Sequence, residues 1–374
     1  VKTEPLVPAA VLEAIRAPLA AIGAVRADAP ILQPLSLVLE LAGEDVRAGL
    51  FVLQSEGGAE ACLRPDFTVA LASAHIARGG GNGRYLYEGP VFRAGGGEEP
   101  EEVLNLGLEL FGAQDAGGDA DAEVASLAWR AARAGGRQDL RLWLGDVALL
   151  AAFVQSLSLH PALAAKLVRI AGRPRLLNAE LARAGATAPT RRGGQLAAML
   201  SGLEAAEAAA MLEEVWTLAG VEPVGGRGAA DIARRLVTRA ASAEAPALTV
   251  GQAEALSAFM AIGDDPAAAI NAIRALGGQS DALEAALQAW QGRVTALTLM
   301  TDGAPLTFAP ALGHAFDYYD GPTFEIRSAA LGAARPVAVG GRYDGLARRL
   351  GAEVVLPAVG CTVRPWRAFA EGEA

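Results

Sequence analysis

The chain has 374 residues, 52% of them apolar and 20% charged; it can bury a large core, which excludes a generally disordered chain. Acidic residues outnumber basic ones by 42 to 32, a formal net charge of -10, so no global positive field exists to hold a nucleic acid. The two cysteines, Cys62 and Cys361, form neither a metal-ligand spacing nor a disulfide framework, and no signal sequence or apolar run of membrane-spanning length is present, so a soluble cytoplasmic protein is expected.

Apolar residues recur at helical spacing from Val11 to Ala24, and Pro30 and Pro34 bound a short extended segment before a second helical stretch at Leu37 to Leu41. The period shortens to that of a strand at Phe51 to Leu53, and a turn at Gly57 and Gly58 leads to another strand ending near Leu63. Asp66 is a fitting N-cap for a helix over Asp66 to Arg78, stopped by three glycines at 79 to 81. The segments RYLYEGPVFRA and VLNLGLELFG then predict two strands joined by the charged loop GGGEEPEE, a hairpin whose loop could cover a ligand.

A helix is expected from Ala120 to Ala134. In LRLWLG, Leu140, Leu142 and Leu144 alternate with Arg141 and Trp143, the pattern of a strand with two different faces. From Val147 to about Leu287 the sequence is mostly helical, with breaks near Pro161, Pro174, Gly193, Gly220 and Gly251, and an inserted helical subdomain is placed at about 160–245. The final part, VTALTLM, LTFAP, FDYYDGPTFEI, PVAVG and AVGCTV, reads as short strands, with a helix after the turn in GRYDGLARRLG. Strands from both chain ends with helices between them imply an α+β fold around a mixed, largely antiparallel sheet.

The densest polar collection within strand-like sequence is Arg93, Glu109, Asp317, Tyr318, Tyr319, Glu325, Arg342 and Tyr343, gathered around glycine-rich segments. Any one of them fits a solvated strand face; jointly they suggest a polar pocket.

Four ordered segments carry a resemblance. CLRPDFTVALASAHIA resembles a segment of histidyl-tRNA synthetases, RYLYEGPVFRAG resembles their motif 2 strand, and FDYYDGPTFE and GGRYDGL resemble their two histidine signatures, together spanning roughly residues 5 to 370. The resemblance implies a class II aminoacyl-tRNA synthetase catalytic-domain-like antiparallel sheet flanked by helices, a dimer formed partly around Ile31 to Glu40, and a site for free histidine. On that basis the histidine-binding residues are Asp66 in place of a glutamate, Thr68, Arg93, Asn105 in place of a glutamine, Glu109, Tyr319 and Tyr343. Carboxyl groups of Asp66 and Glu109 suit a ligand ammonium, and tyrosine hydroxyls and rings suit an imidazole.

The departures from the synthetase pattern point away from catalysis. His314 stands three residues before Asp317, where the synthetases carry an arginine, and an imidazole supplies neither the fixed charge nor the donor fork of that residue. The loop GGGEEPEEV holds four acidic residues and no arginine, a charge that would repel ATP. GCTVRPWRA resembles motif 3 with Arg367 at its arginine position and Trp366 replacing a glutamate, so Arg93 and Arg367 remain candidate anion-binding residues, whereas Arg364 reads as a solvated exception or one side of a salt bridge.

No C-terminal anticodon-binding domain is expected after residue 374. These losses resemble HisZ-type regulatory subunits of short-form ATP phosphoribosyltransferase. That resemblance implies a noncatalytic chain required for partner activity and histidine feedback inhibition in histidine biosynthesis. It also implies a self-dimer within a hetero-octamer with the catalytic subunit, with histidine as effector and no tRNA, membrane, metal or cofactor. Two alternatives stay open: a histidine-activating ligase that does not act on full tRNA, and a stand-alone histidine sensor.

Overall fold

The structure is a computed structural model that describes residues 2–55, 58, 60–95, 99–112, 119–185, 203–219, 233, 247–263, 265–312, 318–353 and 355–373. His314 and Asp317 lie outside the described residues, as does much of the 160–245 insertion.

Eleven strands are described: β1 (Val25–Arg26), β2 (Leu32–Pro34), β3 (Val52–Gln54), β4 (Glu60–Leu63), β5 (Gly83–Phe92), β6 (Glu102–Phe111), β7 (Leu140–Asp146), β8 (Leu306–Phe308), β9 (Pro322–Ser328), β10 (Ala338–Arg342) and β11 (Ala358–Val363). Eight form one sheet in the order β1-β5-β6-β11-β10-β9-β7-β8, and β2-β4-β3 form a second. The β1–β5 and β7–β8 pairs are parallel and the other described pairs of the large sheet antiparallel. Long antiparallel pairing follows from sequence at β5 and β6, where Leu86↔Leu108 and Tyr87↔Gly107 set apolar and polar faces in register.

One face is covered by helices. Leu106, Leu108 and Leu110 of β6, Phe324 and Ile326 of β9 and Leu142 and Leu144 of β7 all point into it. Against them pack α1 (Ala9–Ala20), α4 (Asp119–Ala134), α5 (Val147–Ser156) and the Asp281–Met300 helix. Each such leucine contributes about 1.5–3 kcal/mol relative to exposure. The helix α4 lies across β9, β10 and β11, and its Asp121 meets Arg342 of β10 at 2.8 Å and Arg293 at 2.9 Å. Arg342 therefore belongs to the covered face and not to the polar pocket its sequence neighbours suggested. Leu163, Leu167, Ile170 and Leu177, from the helices Pro161–Ile170 and Pro174–Leu181, join this same core.

One local reading changes. VTALTLM is not a strand but the last two turns of the Asp281–Met300 helix. The buried residues Leu283, Leu287, Trp290, Val294 and Leu297 recur at helical spacing, and Thr295 and Thr298 return their hydroxyls to the carbonyls of Gln291 and Val294. A continuing helical stripe outweighs the strand preference of a short β-branched run. The break expected near Gly251 falls at residues 247–249, outside any helix, where the extended Thr249 starts the helix Val250–Met260 under a Thr249–Gln252 capping box. The helix after β4, α3 (Thr68–Ala77), has Phe67 at its N-cap position; Asp66 reaches it only by accepting from the Val69 N–H at 3.4 Å.

Candidate functional site

The other face of the large sheet carries Tyr87, Asn105, Glu109, Thr362, Thr323 and Glu325, an alternation that each strand already shows in sequence. Across it runs a row in register, Tyr85↔Glu109↔Gly360↔Gly341↔Thr323. The two adjacent glycines leave the floor without side chains of its own. A Cβ at Gly360 would overlap Glu109 Oε2, and one at Gly341 would lie 2.9 Å from the Tyr319 ring. Absence of side chains here is what lets Glu109 and Tyr319 lie flat over the sheet.

Glu109 is the centre of the site. It is 1% exposed, accepts from the Thr68 hydroxyl at 2.6 Å through Oε1 and from the Tyr343 hydroxyl through Oε2. Thr68 comes from the first turn of α3, and Tyr343 from the turn after β10. Tyr318 and Tyr319 precede β9 and complete an aromatic cluster, with ring centroids 5.7 Å and 6.2 Å from Tyr343. Asp320 holds the two tyrosine-bearing turns together by accepting from the Asp344 and Gly345 N–H groups at 2.9 Å and 2.6 Å. Asp344 in turn accepts from the Ala358 N–H and from Arg342, so the ion pairs of the covered face support the pocket from beneath.

Burial decides the charge state of this cluster. Loss of water pushes the Glu109 carboxyl up to about 8; the Thr68 and Tyr343 hydroxyls oppose this, and the neighbouring Asp66 charge adds to it. Burial pushes Asp66 up to about 6, opposed by the Arg93 guanidinium, the Val69 N–H and the Tyr318 hydroxyl. Asp66 Oδ2 and Asn105 Oδ1 are both buried without a hydrogen-bond partner. Two carboxyl groups held short of water, unsatisfied acceptors and phenolic donors around one floor fit a small ligand that brings positive charge and hydrogen-bond donors.

Of the seven residues expected to bind histidine, Thr68 and Tyr343 each donate to Glu109, and Tyr319 packs beside Tyr343. Asp66 and Arg93 border them: Arg93 Nη2 donates to the Pro65 carbonyl at 3.5 Å and its charge acts on Asp66. Asn105 shares the face of β6 but makes no side-chain bond through Oδ1. Arg367 stands apart from this group, bonded to Glu99 at 2.8 Å.

Some site residues escaped sequence reading. Tyr87 is fully buried, stacked on Phe67 at 4.4 Å, and its hydroxyl contacts Thr362 Oγ1 at 2.5 Å; a Cβ at Gly107 would overlap that hydroxyl. The only available signal was the small residue placed opposite Tyr87 in the hairpin. Arg364 is neither solvated nor simply paired. It is half-buried, donates to the Pro336 carbonyl at 3.4 Å and is pushed down to about 9 by burial and by the charges of Arg367 and Arg93. Glu325 pairs with Arg327 at 2.7 Å, away from Glu109. A cavity of about 30 Å³, bordered by Asp121, Trp290 and Arg293, lies against the covered face and is too small for an amino acid.

The histidyl-tRNA synthetase family model matches residues 9–224 and 227–367. The chain is similar to an ATP phosphoribosyltransferase regulatory subunit of Mesorhizobium japonicum, 36% identical over 349 residues that cover 89% of each chain. A second, from Brucella canis, is 32% identical over 362 residues that cover 94% of each. Among solved structures, an ATP phosphoribosyltransferase regulatory subunit/histidyl-tRNA synthetase from Bacillus halodurans superposes with a TM-score of 0.66 at 20% identity, covering 97% of this chain and 78% of the other. A histidine–tRNA ligase subunit from Alicyclobacillus acidocaldarius gives 0.59 at 20% identity, covering 98% and 94%. The structural matches carry the fold: a mixed sheet flanked by helices, as in class II synthetase catalytic domains.

Proposed function

The chain belongs to the family of ATP phosphoribosyltransferase regulatory subunits, relatives of histidyl-tRNA synthetase, and from that membership we propose that its polar pocket binds free histidine and conveys feedback inhibition to a short-form catalytic subunit. As a regulatory subunit it acts in histidine biosynthesis. The observation that carries the histidine reading is the Thr68–Glu109–Tyr343 cluster beside Asp66, Tyr318 and Tyr319. Histidine offers an ammonium and an imidazole; Glu109 and Asp66 supply the counter-charge, Tyr319 and Tyr343 the ring contacts, and Asn105 Oδ1 an acceptor. Directed hydrogen bonds of this kind supply the discrimination that the small apolar area of histidine cannot.

Coupling to the partner requires histidine to bind the inhibited assembly more tightly than the active one; a tenfold preference is worth about 1.4 kcal/mol per site. Phosphoribosyl transfer is assigned to the catalytic partner, and this chain is read as noncatalytic. A self-dimer within a hetero-octamer is part of the same reading. Exposed Ile31, Leu32, Val52 and Leu53 on and beside the small sheet support an interface there.

The test is ATP phosphoribosyltransferase activity of the cognate short catalytic subunit with and without this chain, titrated with histidine. Activity that depends on the chain and is suppressed by histidine, with suppression lost in Tyr343→Phe and Glu109→Gln, is expected. Failure to associate with or to activate the catalytic subunit would overturn the assignment. Histidine-dependent exchange of pyrophosphate into ATP by the chain alone would instead establish a ligase.

A further inference from the structure

The ion pairs beneath the pocket continue past Arg342 to a helix on the far side of the sheet. Arg293 is carried by the Asp281–Met300 helix; its Nε donates to Asp121 Oδ2 at 2.9 Å and its Nη1 to Asp146 Oδ2 at 3.3 Å. Asp121 passes the contact on, accepting from Arg342 Nε at 2.8 Å through Oδ1, and Arg342 Nη1 donates to Asp344 Oδ1 at 3.2 Å. At the other end Asp146 closes β7 and caps α5 by accepting from the Leu149 N–H at 3.0 Å.

This line reaches the pocket because neighbouring residues of a strand face opposite sides of the sheet. Arg342, the last residue of β10, points to the covered face, and Tyr343 points to the open one, where its hydroxyl donates to Glu109. Asp344 helps to hold Tyr343 in place. Its Oδ1 accepts from the Ala358 N–H at 2.8 Å while the Tyr343 N–H donates to the Ala358 carbonyl at 2.8 Å, so one residue of β11 grips the turn twice. Arg342 orients the carboxyl that makes the first of these grips.

Burial makes the line sensitive to the loss of one member. Asp121 and Asp146 are each 7% exposed and Arg342 is 5% exposed, so these charges cannot exchange their partners for water. Three carboxyl groups, Asp121, Asp146 and Asp344, meet two guanidinium groups, Arg293 and Arg342. Without Arg293 the demand of the buried Asp121 shifts onto Arg342. The 3.2 Å contact of Arg342 with the half-buried Asp344 is longer than its 2.8 Å contact with Asp121, and it is the one that can give way to water.

We propose that Arg293 is a positioning residue of the pocket: acting through Asp121, Arg342 and Asp344, it fixes the turn that presents Tyr343 to Glu109 and so sets ligand affinity from the opposite face of the sheet. That the ligand is histidine rests on the function proposed above; the positioning of the turn does not. Displacement of the Asp281–Met300 helix then weakens the pocket, and by linkage an occupied pocket holds that helix in place.

The experiment is a double-mutant cycle on the full chain, pairing Arg293→Met with Asp344→Asn, a change that keeps the acceptor for Ala358 and removes the charge facing Arg342. Histidine is titrated calorimetrically, and unfolding in urea without ligand is measured on the same proteins. Arg293→Met is expected to weaken histidine binding roughly tenfold, about 1.4 kcal/mol, and Arg293→Lys, which keeps the charge, to restore most of the loss. Arg293→Gln, which keeps one donor group, takes the place of Arg293→Met if that variant does not fold. In the Asp344→Asn background the change at Arg293 should cost little further affinity, because the contact it acts through is already gone. Leu297→Ala, one turn along the same helix, should lower stability and leave histidine affinity unchanged. Unchanged affinity in Arg293→Met, a loss that adds in full to that of Asp344→Asn, or an equal loss in Leu297→Ala overturns the proposal. A parent chain that takes up no histidine overturns the histidine reading alone; the ligand-free cycle then decides, coupled unfolding free energies supporting the positioning role and additive ones sinking it.

Discussion

Replacing Glu109 by glutamine should make the protein more stable at neutral pH and unable to bind its ligand. Glu109 is buried, and its carboxyl is raised from 4.5 to about 8, chiefly by loss of water. A carboxyl whose folded pKa lies above its unfolded value favours the folded state most fully below the unfolded pKa. That contribution is lost as pH rises towards the folded pKa, here between 4.5 and about 8. Each pH unit inside that window costs about 1.4 kcal/mol, so between pH 5.5 and pH 7.5 this one group removes on the order of 3 kcal/mol. Asp66, raised to about 6, adds a smaller loss that ends near that value. Glutamine keeps the shape and has no charge to bury. Urea unfolding of Glu109→Gln and the parent should therefore give nearly equal stabilities at pH 5 and diverge by a few kcal/mol at pH 7.5, the variant being the more stable. The same substitution should abolish histidine binding by calorimetry, and in the parent histidine affinity should rise with pH from 6 to 8 as Glu109 ionises. Parallel pH–stability curves for variant and parent would refute the claim that an unfavourably buried carboxyl sits at the centre of the pocket.

Three further outcomes are expected. Gly107→Ala places a methyl group against the Tyr87 hydroxyl and the Cys361 carbonyl, one of them immobile backbone, and should cost about 1–3 kcal/mol or more in chemical denaturation. Arg342→Met leaves Asp121 with Arg293 and removes a partner of Asp344; a loss of about 3–5 kcal/mol is expected, with weaker histidine binding because Asp344 supports the Tyr343 turn. Cys62, raised to about 11 by burial, and Cys361, raised further by burial and the Glu109 charge, should react with a thiol reagent only on unfolding; rapid labelling of the folded chain would show that the sheet opens there.

The order of elements, the β5–β6 hairpin and the two-faced β7 were legible because local periodicity states which side of an element is apolar, and that is a property of neighbouring residues. Thr68, Glu109 and Tyr343 were legible as site residues only through their motifs, since the bonds joining them span 41 and 234 positions of sequence. Other features were decided by tertiary contacts alone. VTALTLM became helix because its apolar residues continue a stripe against the core, Arg342 turned to the covered face where it meets Asp121, and residues 2–4 could pair with the start of β6 because β11 leaves that edge open. The raised pKa values of Glu109 and Asp66 belong to the same class, because desolvation is imposed jointly by α3, β6 and the two tyrosine turns, and no single segment carries a trace of it.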